Sequence, residues 1–402
     1  MKQPRQSTIL KTATRNLHLV MAESSITAGL LALSIMTPFF KSIGLSQTEI
    51  SETQMAYTVI VMLLNFPLGY LADRISRKWA NILGDFSHVL VLLAYSQVGG
   101  FWGAVICECF YGVSSALTDG VDQSLLKHFS DRIAEETKVS KTELLRVKTA
   151  RLAVMREICN LTLLALGGPI GAISFRLAIA LSAVSHFIGG VISIFITDDS
   201  EKMQPTHKNP VKDLVRVARD VVKNPMLRRR VAAYAVAREM THGIIWVATP
   251  LFIAAGIPLS VVSFAWVGNA LMAMIGAYFA GKYGKELSDA NVMFFAVFLM
   301  VASMLPMGIY LDLSTVCLYG LMGVIQGWTS ATMLPIIQRY TKPSEQTSVI
   351  SLAKVLAELL YIPTVWIIGF AADIKLNYAL FAVVIIFLPL GLISIRSLSK
   401  TT

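Results

Sequence analysis

The chain has 402 residues, of which 55% are hydrophobic and 15% are charged, and its formal net charge is +10. A soluble protein usually carries about 25% charged residues, so this composition excludes an ordinary soluble enzyme or binding domain. Long apolar runs separated by short charged segments instead predict an all-α protein that crosses a membrane many times. The twelve predicted spans are residues 17–40, 51–72, 79–98, 101–125, 149–170, 173–196, 231–254, 260–280, 291–310, 315–338, 347–370 and 376–396.

The basic residues lie almost entirely on one side of this predicted topology. With both termini in the cytoplasm, the outside loops hold only Lys41, Arg176 and Lys375. That asymmetry follows the positive-inside rule. It assigns the excess positive charge to anionic lipid rather than to nucleic acid. We therefore expect a multi-pass protein of the cell (inner) membrane, with a retained first span rather than a cleavable signal peptide.

The first predicted span contains a carboxyl group at Glu23, with Thr27 and Ser34 on the same helical face. Ionisable side chains within a membrane are costly and are usually functional. Because no local cation explains Glu23, this glutamate is a candidate proton or substrate site.

The second and third spans are joined by a short charged segment, Asp73-Arg74-Ile75-Ser76-Arg77-Lys78, which follows Gly69-Tyr70-Leu71-Ala72. A tight hairpin is expected here, with Gly69 allowing close helix packing. The segment resembles the loop between helices two and three of the major facilitator superfamily, G-x-L-A-D-R-x-G-R-K, with Ser76 in place of glycine. The resemblance implies twelve transmembrane helices in two pseudo-symmetric six-helix bundles, and alternating access to a central site. It also implies a cytoplasmic gate formed by Gly69, Asp73, Arg74, Arg77 and Lys78.

Four polar side chains recur along the predicted fourth span, and on a single helix they would share one face. The two aspartates near the inner surface are expected to pair with Arg74 or Arg77 of the gate, and Asp85 of the third span joins that group. The four residues are Glu108, Ser115, Asp119 and Asp122.

The fifth span carries Arg156 and Glu157 and ends with Gly167-Gly168-Pro169-Ile170-Gly171. That end resembles a shortened form of the Gly-Pro motif of antiporters in the superfamily. The resemblance implies a hinge at Gly168 and Pro169, whereas the simpler alternative is a helix end before an outside turn. The arginine of drug transporters in span four is absent, which counts against ordinary proton-coupled drug antiport.

A hydrophilic segment at 197–229 divides the chain into two six-helix halves, 1–196 and 230–402. Within it, apolar residues from Val211 to Val222 recur at helical spacing among basic residues. This pattern predicts an amphipathic helix on the cytoplasmic membrane surface. The halves look like weak repeats, in which Glu23 corresponds to Glu239 and the fifth span to the eleventh.

The second half also carries buried charge. Lys354 and Glu358 are one helical turn apart and can form a structural pair instead. Arg156 and Arg238 can snorkel to the interface, and His242 can be a neutral packing residue. The predicted substrate and proton pathway comprises Glu23, Glu108, Arg156, Glu157, Arg238, Glu239, His242, Lys354 and Glu358.

Aromatic and amide side chains are expected to line a cavity beside this pathway, where they supply stacking area and hydrogen bonds. Some of them can instead be membrane-interface anchors. These residues are Trp246, Trp266, Gln326, Trp328 and Tyr361.

Three functions are compatible with this sequence. The leading expectation is a monomeric secondary transporter that exports small amphipathic compounds in exchange for protons. The first alternative is proton-linked uptake of an organic anion held by Arg156 and Arg238, and the second is a non-transporting receptor or scaffold. No cofactor is expected, and an enzyme is disfavoured because no nucleotide loop, nucleophile motif or metal cluster is visible. The four cysteines, all within spans, predict neither a disulfide framework nor a metal site.

Overall fold

The computed structural model describes residues 3–197, 210–284, 286–341 and 346–400, with side chains described except at 3–8, 66, 70, 72–75, 210–214 and 347. These ranges form helices and turns, as expected where an apolar chain must satisfy its backbone groups internally. The helices are α1 (Gln3–Thr27), α2 (Leu33–Ser42), α3 (Gln47–Ile75), α4 (Arg77–Tyr95), α5 (Phe101–Thr118), α6 (Val121–Thr137), α7 (Lys141–Ile173), α8 (Phe175–Ile194), α9 (Pro210–Lys223), α10 (Pro225–His242), α11 (Ile245–Ala254), α12 (Val262–Tyr283), α13 (Asp289–Ile309), α14 (Leu313–Val316), α15 (Gly320–Arg339), α16 (Gln346–Ile374) and α17 (Leu376–Ser399).

The chain divides into two compact units. The first comprises residues 1–33 and 59–206, and the second comprises 34–58 and 207–402. The segment 34–58, which the sequence places in the N-terminal half, therefore packs with the C-terminal half. The long helix α3 contributes its first turns to the second unit and the remainder to the first.

Seven helical stretches of the described chain are long and apolar enough to cross a membrane. The predicted first and seventh spans do not run as single helices, because the first is broken between α1 and α2 and the seventh between α10 and α11. The seven are Phe101–Thr137, Lys141–Ile173, Phe175–Ile194, Leu259–Tyr283, Asp289–Ile309, Ser348–Ile374 and Tyr378–Ser399.

The hairpin between the second and third spans is tighter than expected. Helix α3 continues to Ile75 and α4 begins at Arg77, so only Ser76 lies between them. Asp73 and Arg74 thus lie in the helix, and their side chains fall outside the described residues. The packing role predicted for Gly69 has no support among the described residues, since none of their atoms lies within 4 Å of the position a Cβ would take.

The side chain of Lys78, a residue of α4, contacts the end of another helix of the first unit. Its Nζ donates to the carbonyl oxygen of Ile194 at 2.8 Å, at the C-terminus of α8. Cations are favoured at that end of a helix because the unpaired carbonyl groups concentrate negative charge there. Lys78 therefore has a structural partner in addition to any role in a gate.

The predicted single polar face of span four is also wrong. Helix α5 ends at Thr118, and Gly120 adopts a left-handed conformation (φ 74°) before α6 begins at Val121. Glycine adopts this conformation without steric cost, which explains why the helix breaks here. Asp122 therefore belongs to a different helix from Glu108 and points elsewhere.

The predicted helix of the linker is present as α9, but part of its apolar stripe is buried against other helices of the protein. Val217 and Val221 are each 3% exposed, and α9 packs against α10 and α16. The exposed valines are Val215 and Val222. Packing against protein thus accounts for the buried valines of the amphipathic pattern, and the membrane-surface role of this helix stays a prediction. The preceding residues 198–209 lie outside the described ranges.

Helices α12 and α15 form the closest packing in the second unit. A Cβ at Gly327 would lie 1.8 Å from the Ala273 carbonyl oxygen, and one at Gly276 would lie 2.1 Å from that of Val324. Glycine is required at both positions because the opposing atoms are backbone and cannot move aside. Small residues allow such close approach between membrane helices, where dispersion contacts supply the stability.

Candidate functional site

The first span is interrupted beside Glu23. Helix α1 ends at Thr27 and α2 begins at Leu33. Within the break, the backbone N–H of Leu30 donates to Asn160 Oδ1 of α7 at 3.3 Å. Non-helical backbone at membrane depth is tolerated where protein partners or a water-filled cavity satisfy it, so this break is a feature typical of a transport pathway.

Asp122 and Arg156 form an ion pair near this break. Arg156 Nη1 lies 3.1 Å from Asp122 Oδ2, and the side chains are 40% and 17% exposed. Ser24 Oγ donates to the same oxygen at 2.8 Å. The turn at Gly120 brings Asp122 to Arg156, while the side chain of Arg74, one of its expected partners, lies outside the described residues. The other aspartate, Asp119, accepts from Asn65 Nδ2 at 2.9 Å.

Glu23 is 2% exposed and sits beside a second buried acid, Asp85, which is also 2% exposed. The two carboxyl groups interact. Glu23 Oε2 and Asp85 Oδ2 both lack a hydrogen-bond partner. Adjacent buried carboxylates repel each other, so this pair is stable when it holds a proton or a cation. Asp85 thus belongs with Glu23 and not with the predicted gate.

The second unit contains a comparable charged cluster on α10 and α16. Arg238 Nη2 donates to Glu358 Oε1 at 2.7 Å, and Arg238 Nη1 lies 3.2 Å from Glu239 Oε1. The second contact is an ion pair without hydrogen-bond geometry, because both Glu239 oxygens lack a donor. Glu239 is only 1% exposed, so it is a second buried acid that can accept a proton. His242 Nδ1 donates to the Arg238 carbonyl oxygen at 3.0 Å, as expected for a packing histidine.

The other predicted pathway residues are Glu108, Glu157 and Lys354. Glu108 is 5% exposed and interacts with Tyr95. Glu157 is half-buried, and Lys354 is exposed. The sequence also suggested a structural ion pair between Lys354 and Glu358. Arg238 already neutralises Glu358, so that pair is not needed to explain the buried charge.

The residues predicted to line a cavity differ in their burial, and the cavity itself stays a prediction. Trp266 and Trp328 are 5% and 3% exposed, and their indole N–H groups donate to Thr249 Oγ1 and the Val292 carbonyl oxygen. Both are core residues, because the apolar ring packs inside the bundle while the N–H finds a partner. Gln326 is exposed. Trp246 and Tyr361 do contact each other, through a 3.0 Å hydrogen bond from Nε1 to the phenol oxygen.

Prolines in α2 and α11 leave two backbone carbonyl groups free. A helical N–H bonds the carbonyl oxygen four residues earlier, and proline has no N–H to offer. Pro38 therefore frees the carbonyl of Ser34, and Pro250 frees that of Trp246. Each proline follows a threonine.

The two threonines supply the missing donors reciprocally. Thr249 Oγ1 donates to the Ser34 oxygen at 3.0 Å, and Thr37 Oγ1 donates to the Trp246 oxygen at 2.9 Å. We refer to these two bonds as the threonine–proline clasp. It joins α2 to α11 within the second unit, and no candidate residue in the sequence pointed to it. The repeated Thr-Pro in Met36–Phe39 and Ala248–Leu251 was the available signal.

Asp373 holds the first turn of α3 in the same unit. Its carboxylate accepts the backbone N–H groups of Gln47 (2.8 Å) and Thr48 (2.7 Å) and the Thr48 hydroxyl (2.6 Å). Lys41 Nζ lies 3.5 Å away. The first N–H groups of a helix have no partner within it, and a carboxylate is favoured there. This set of contacts, the Asp373 latch, ties α3 to the end of α16 near the predicted outside loop of Lys41.

The sequence profile of the Major Facilitator Superfamily matches residues 18–362. The chain belongs to that superfamily. The predicted membership is thus confirmed, and so are the all-α fold of twelve transmembrane helices in two bundles and a role as a transporter rather than an enzyme. No curated protein matches this sequence.

Solved transporters of the superfamily share the fold. The crystal structure of the nucleoside transporter NupG is 12% identical, with a TM-score of 0.75, and covers 97% of this chain and 98% of its own. A bacterial homologue of the human lysosomal transporter Spinster, inward-facing and unoccupied, is 10% identical with a TM-score of 0.67, covering 100% of this chain and 99% of its own. At this identity the similarity concerns the fold.

Proposed function

We propose that this superfamily member is a proton-coupled secondary transporter working by alternating access. The observation that carries the proposal is that a span is broken beside a buried glutamate in each half of the sequence. Glu23 lies one turn before the end of α1, and Glu239 lies one turn before the end of α10. Interrupted helices at corresponding positions of two repeats mark the substrate and ion sites of secondary transporters.

Proton coupling is assigned to Glu23 with Asp85 and to Glu239. These carboxyl groups are buried, and one oxygen of Glu23, one of Asp85 and both of Glu239 lack hydrogen-bond donors. Burying an ionised carboxylate without donors is costly, so each has a reason to take up a proton and to release it when its surroundings change.

The substrate is expected to be a small amphipathic compound that is neutral or cationic. Arg156 and Arg238, which an organic anion would need, are already paired with Asp122 and Glu358. An anion would have to displace a bound carboxylate, which argues against uptake of an organic anion. Neutral compounds such as nucleosides belong in the test panel, since one similar structure is a nucleoside transporter.

Export in exchange for protons remains the proposed direction. It is supported by the antiporter-like segment of α7, in which Gly167, Gly168 and Gly171 are buried, while Pro169 is exposed within a helix that continues to Ile173. Helix α7 ends at Ile173, two residues after Gly171, so a helix end before an outside turn remains the alternative explanation of this segment. A hinge at Gly168 and Pro169 is part of the proposal.

Alternating access requires closures on both faces. On the outside we assign the threonine–proline clasp and the Asp373 latch, which join α2 and α3 to α11 and α16. On the cytoplasmic side we assign the segment from Gly69 to Lys78. We place the protein in the cell membrane as a monomer with both termini inside.

The coupling assignment is tested with purified protein in proteoliposomes. We expect Glu23→Gln and Glu239→Gln each to retain exchange of substrate across the membrane while losing at least about 10-fold of accumulation driven by a pH gradient, because a permanently neutral side chain cannot carry a proton. Glu143→Gln is the control, since Glu143 is exposed and pairs with Arg146 on its own helix. Full gradient-driven accumulation by both glutamine variants would refute the assignment.

A further inference from the structure

Asp85, His88 and His186 bring three metal-ligand side chains together in the first unit. Asp85 and His88 lie on α4, and His186 lies on α8. One ligand atom from each residue falls within 4.8 Å of the others. Asp85 and His88 are buried, and the His186 side chain is 12% exposed. This cluster is not predictable from sequence spacing, because His186 lies on a separate helix.

The spacing between Asp85 and His186 suits two ligands of one metal ion. His186 Nδ1 lies 3.4 Å from Asp85 Oδ1. A charge-assisted hydrogen bond between such atoms is usually about 2.7–2.9 Å, so this contact is long. Two ligands bound tetrahedrally at about 2.0–2.1 Å are separated by about 3.4 Å, which is the separation found here.

His88 has the second hydrogen bond typical of a metal ligand. Its Nδ1 lies 2.9 Å from the Gly84 carbonyl oxygen. A carbonyl group only accepts, so Nδ1 carries the proton and Nε2 keeps its lone pair. Histidines that bind metals commonly donate their other N–H to a carbonyl or carboxylate, which fixes the ring. The contact of Nε2 with Ser115 Oγ is long, at 3.3 Å.

Two unpartnered carboxylate oxygens provide an independent indication of a bound cation. Asp85 Oδ2 and Glu23 Oε2 have no hydrogen-bond partner, although each residue is 2% exposed. The His88 and His186 rings stack with centroids 4.5 Å apart and planes inclined by 11°, an arrangement that disfavours two imidazolium cations. A dication bound by two carboxylates and two neutral imidazoles would satisfy all of these groups and leave no net charge.

We propose that Asp85, His88 and His186 bind a divalent transition-metal ion of the zinc class, with Glu23 as the fourth ligand. Imidazole and carboxylate ligands in a four-coordinate site suit Zn²⁺. Gly189 leaves room for the site, because a Cβ there would lie 3.2 Å from Asp85 Oδ2 and 2.4 Å from Thr27 Cγ2. The ion and the transported proton would occupy Glu23 and Asp85 alternately, so the proposal goes beyond proton transport and is measured as metal binding, without any transport assay.

The test uses the full-length protein in detergent, free of any affinity tag and stripped with chelator. Calorimetric titration with Zn²⁺ should show one ion per chain, and Co²⁺ should give the visible absorption of tetrahedral coordination. His88→Gln and His186→Gln should each weaken binding at least about 10-fold, the lower bound even for a second-shell change. The control is His18→Gln, because His18 is exposed on α1.

Unchanged zinc affinity in both cluster variants, or weakening by His18→Gln alone, would overturn the proposal. X-ray absorption at the zinc edge is measured on the unmodified chain, so its result does not depend on whether the variants fold. The expected ligand shell contains nitrogen and oxygen only. Sulfur in that shell would assign the ion to the free cysteines, such as Cys107 or Cys159, and the absence of any bound zinc would equally refute the site.

Discussion

At the scale of single residues, buried charge is the feature that the sequence revealed best. Glu23 and Glu239 are expected from the sequence alone, because a glutamate in an apolar run has no local reason to be there. Their partners are not predictable in this way. Asp122 reaches Arg156 only because Gly120 turns the chain, and His186 meets Asp85 only through helix packing.

Arg230 is a buried residue whose importance the sequence did not show. It is 2% exposed, its Nη2 lies 2.7 Å from Asp289 Oδ2, and its guanidinium carbon lies 3.6 Å from the centre of the Tyr340 ring. Arg230→Met would leave a largely buried carboxylate unpaired, and we expect a loss of about 3–5 kcal/mol of unfolding free energy.

Denaturation of the purified protein, followed by circular dichroism, measures the effect of Arg230→Met. Arg228→Met, two residues earlier on α10 and exposed, is the matched control and should change stability by about 0.5 kcal/mol or less. Equal stability of the two variants would show that the buried pair contributes nothing.

At the scale of helices, the sequence predicted the membrane spans but not the breaks within them. The spans themselves follow from hydropathy, but the breaks after Thr27 and His242 lie inside apolar runs and leave no hydropathy signal. Thr-Pro at residues 37–38 and 249–250 was a readable sign of disturbed helix, because proline must free a carbonyl group. Which side chain donates a hydrogen bond to that carbonyl group depends on tertiary packing.

The clasp makes an ordered prediction. Thr249→Val should lower the free energy of unfolding more than Thr37→Val does. The reason is that the loss of the Thr249 hydroxyl also leaves the Trp266 N–H without its acceptor. In Thr37→Val the Trp246 carbonyl oxygen keeps a second donor, Gln47 Nε2 at 2.8 Å. We expect losses of about 1–3 kcal/mol for Thr249→Val and about 1 kcal/mol for Thr37→Val.

Thermal unfolding of the two single variants and the double variant measures these losses. Thr162→Val serves as the control, since Thr162 is exposed and bonds only to Ile158 of its own helix among the contacts described. The opposite order of stability, or losses no larger than that of the control, would count against the clasp.

The contact between α12 and α15 makes a separate prediction. Gly327→Ala should lower the melting temperature markedly, because the new methyl group would lie 1.8 Å from the Ala273 carbonyl oxygen. On α12 itself, Gly268 has open space around it. Gly268→Ala should therefore be neutral, or stabilising by up to about 1 kcal/mol through helix propensity. Similar melting temperatures for the two variants would contradict the packing described.

At the scale of the whole molecule, the helical membrane fold and the superfamily were accessible from the sequence, and the transported compound was not. Charge asymmetry and the Gly69–Lys78 segment are local patterns, so they can be read directly. The assignment of residues 34–58 to the second compact unit depends on long-range contacts such as the clasp and the Asp373 latch. In the proposed alternating-access cycle, those contacts are the ones that break when the outside opens.

The proposed transport cycle depends above all on buried carboxyl groups that couple substrate movement to proton movement. The most direct measurement is the internal pH of proteoliposomes, reported by a trapped dye, when members of a panel of neutral and cationic amphipathic compounds are added without any imposed gradient. We predict that at least one compound changes the internal pH with the wild-type protein and fails to do so with Glu23→Gln. An internal pH that stays constant while a compound is demonstrably transported would contradict the account.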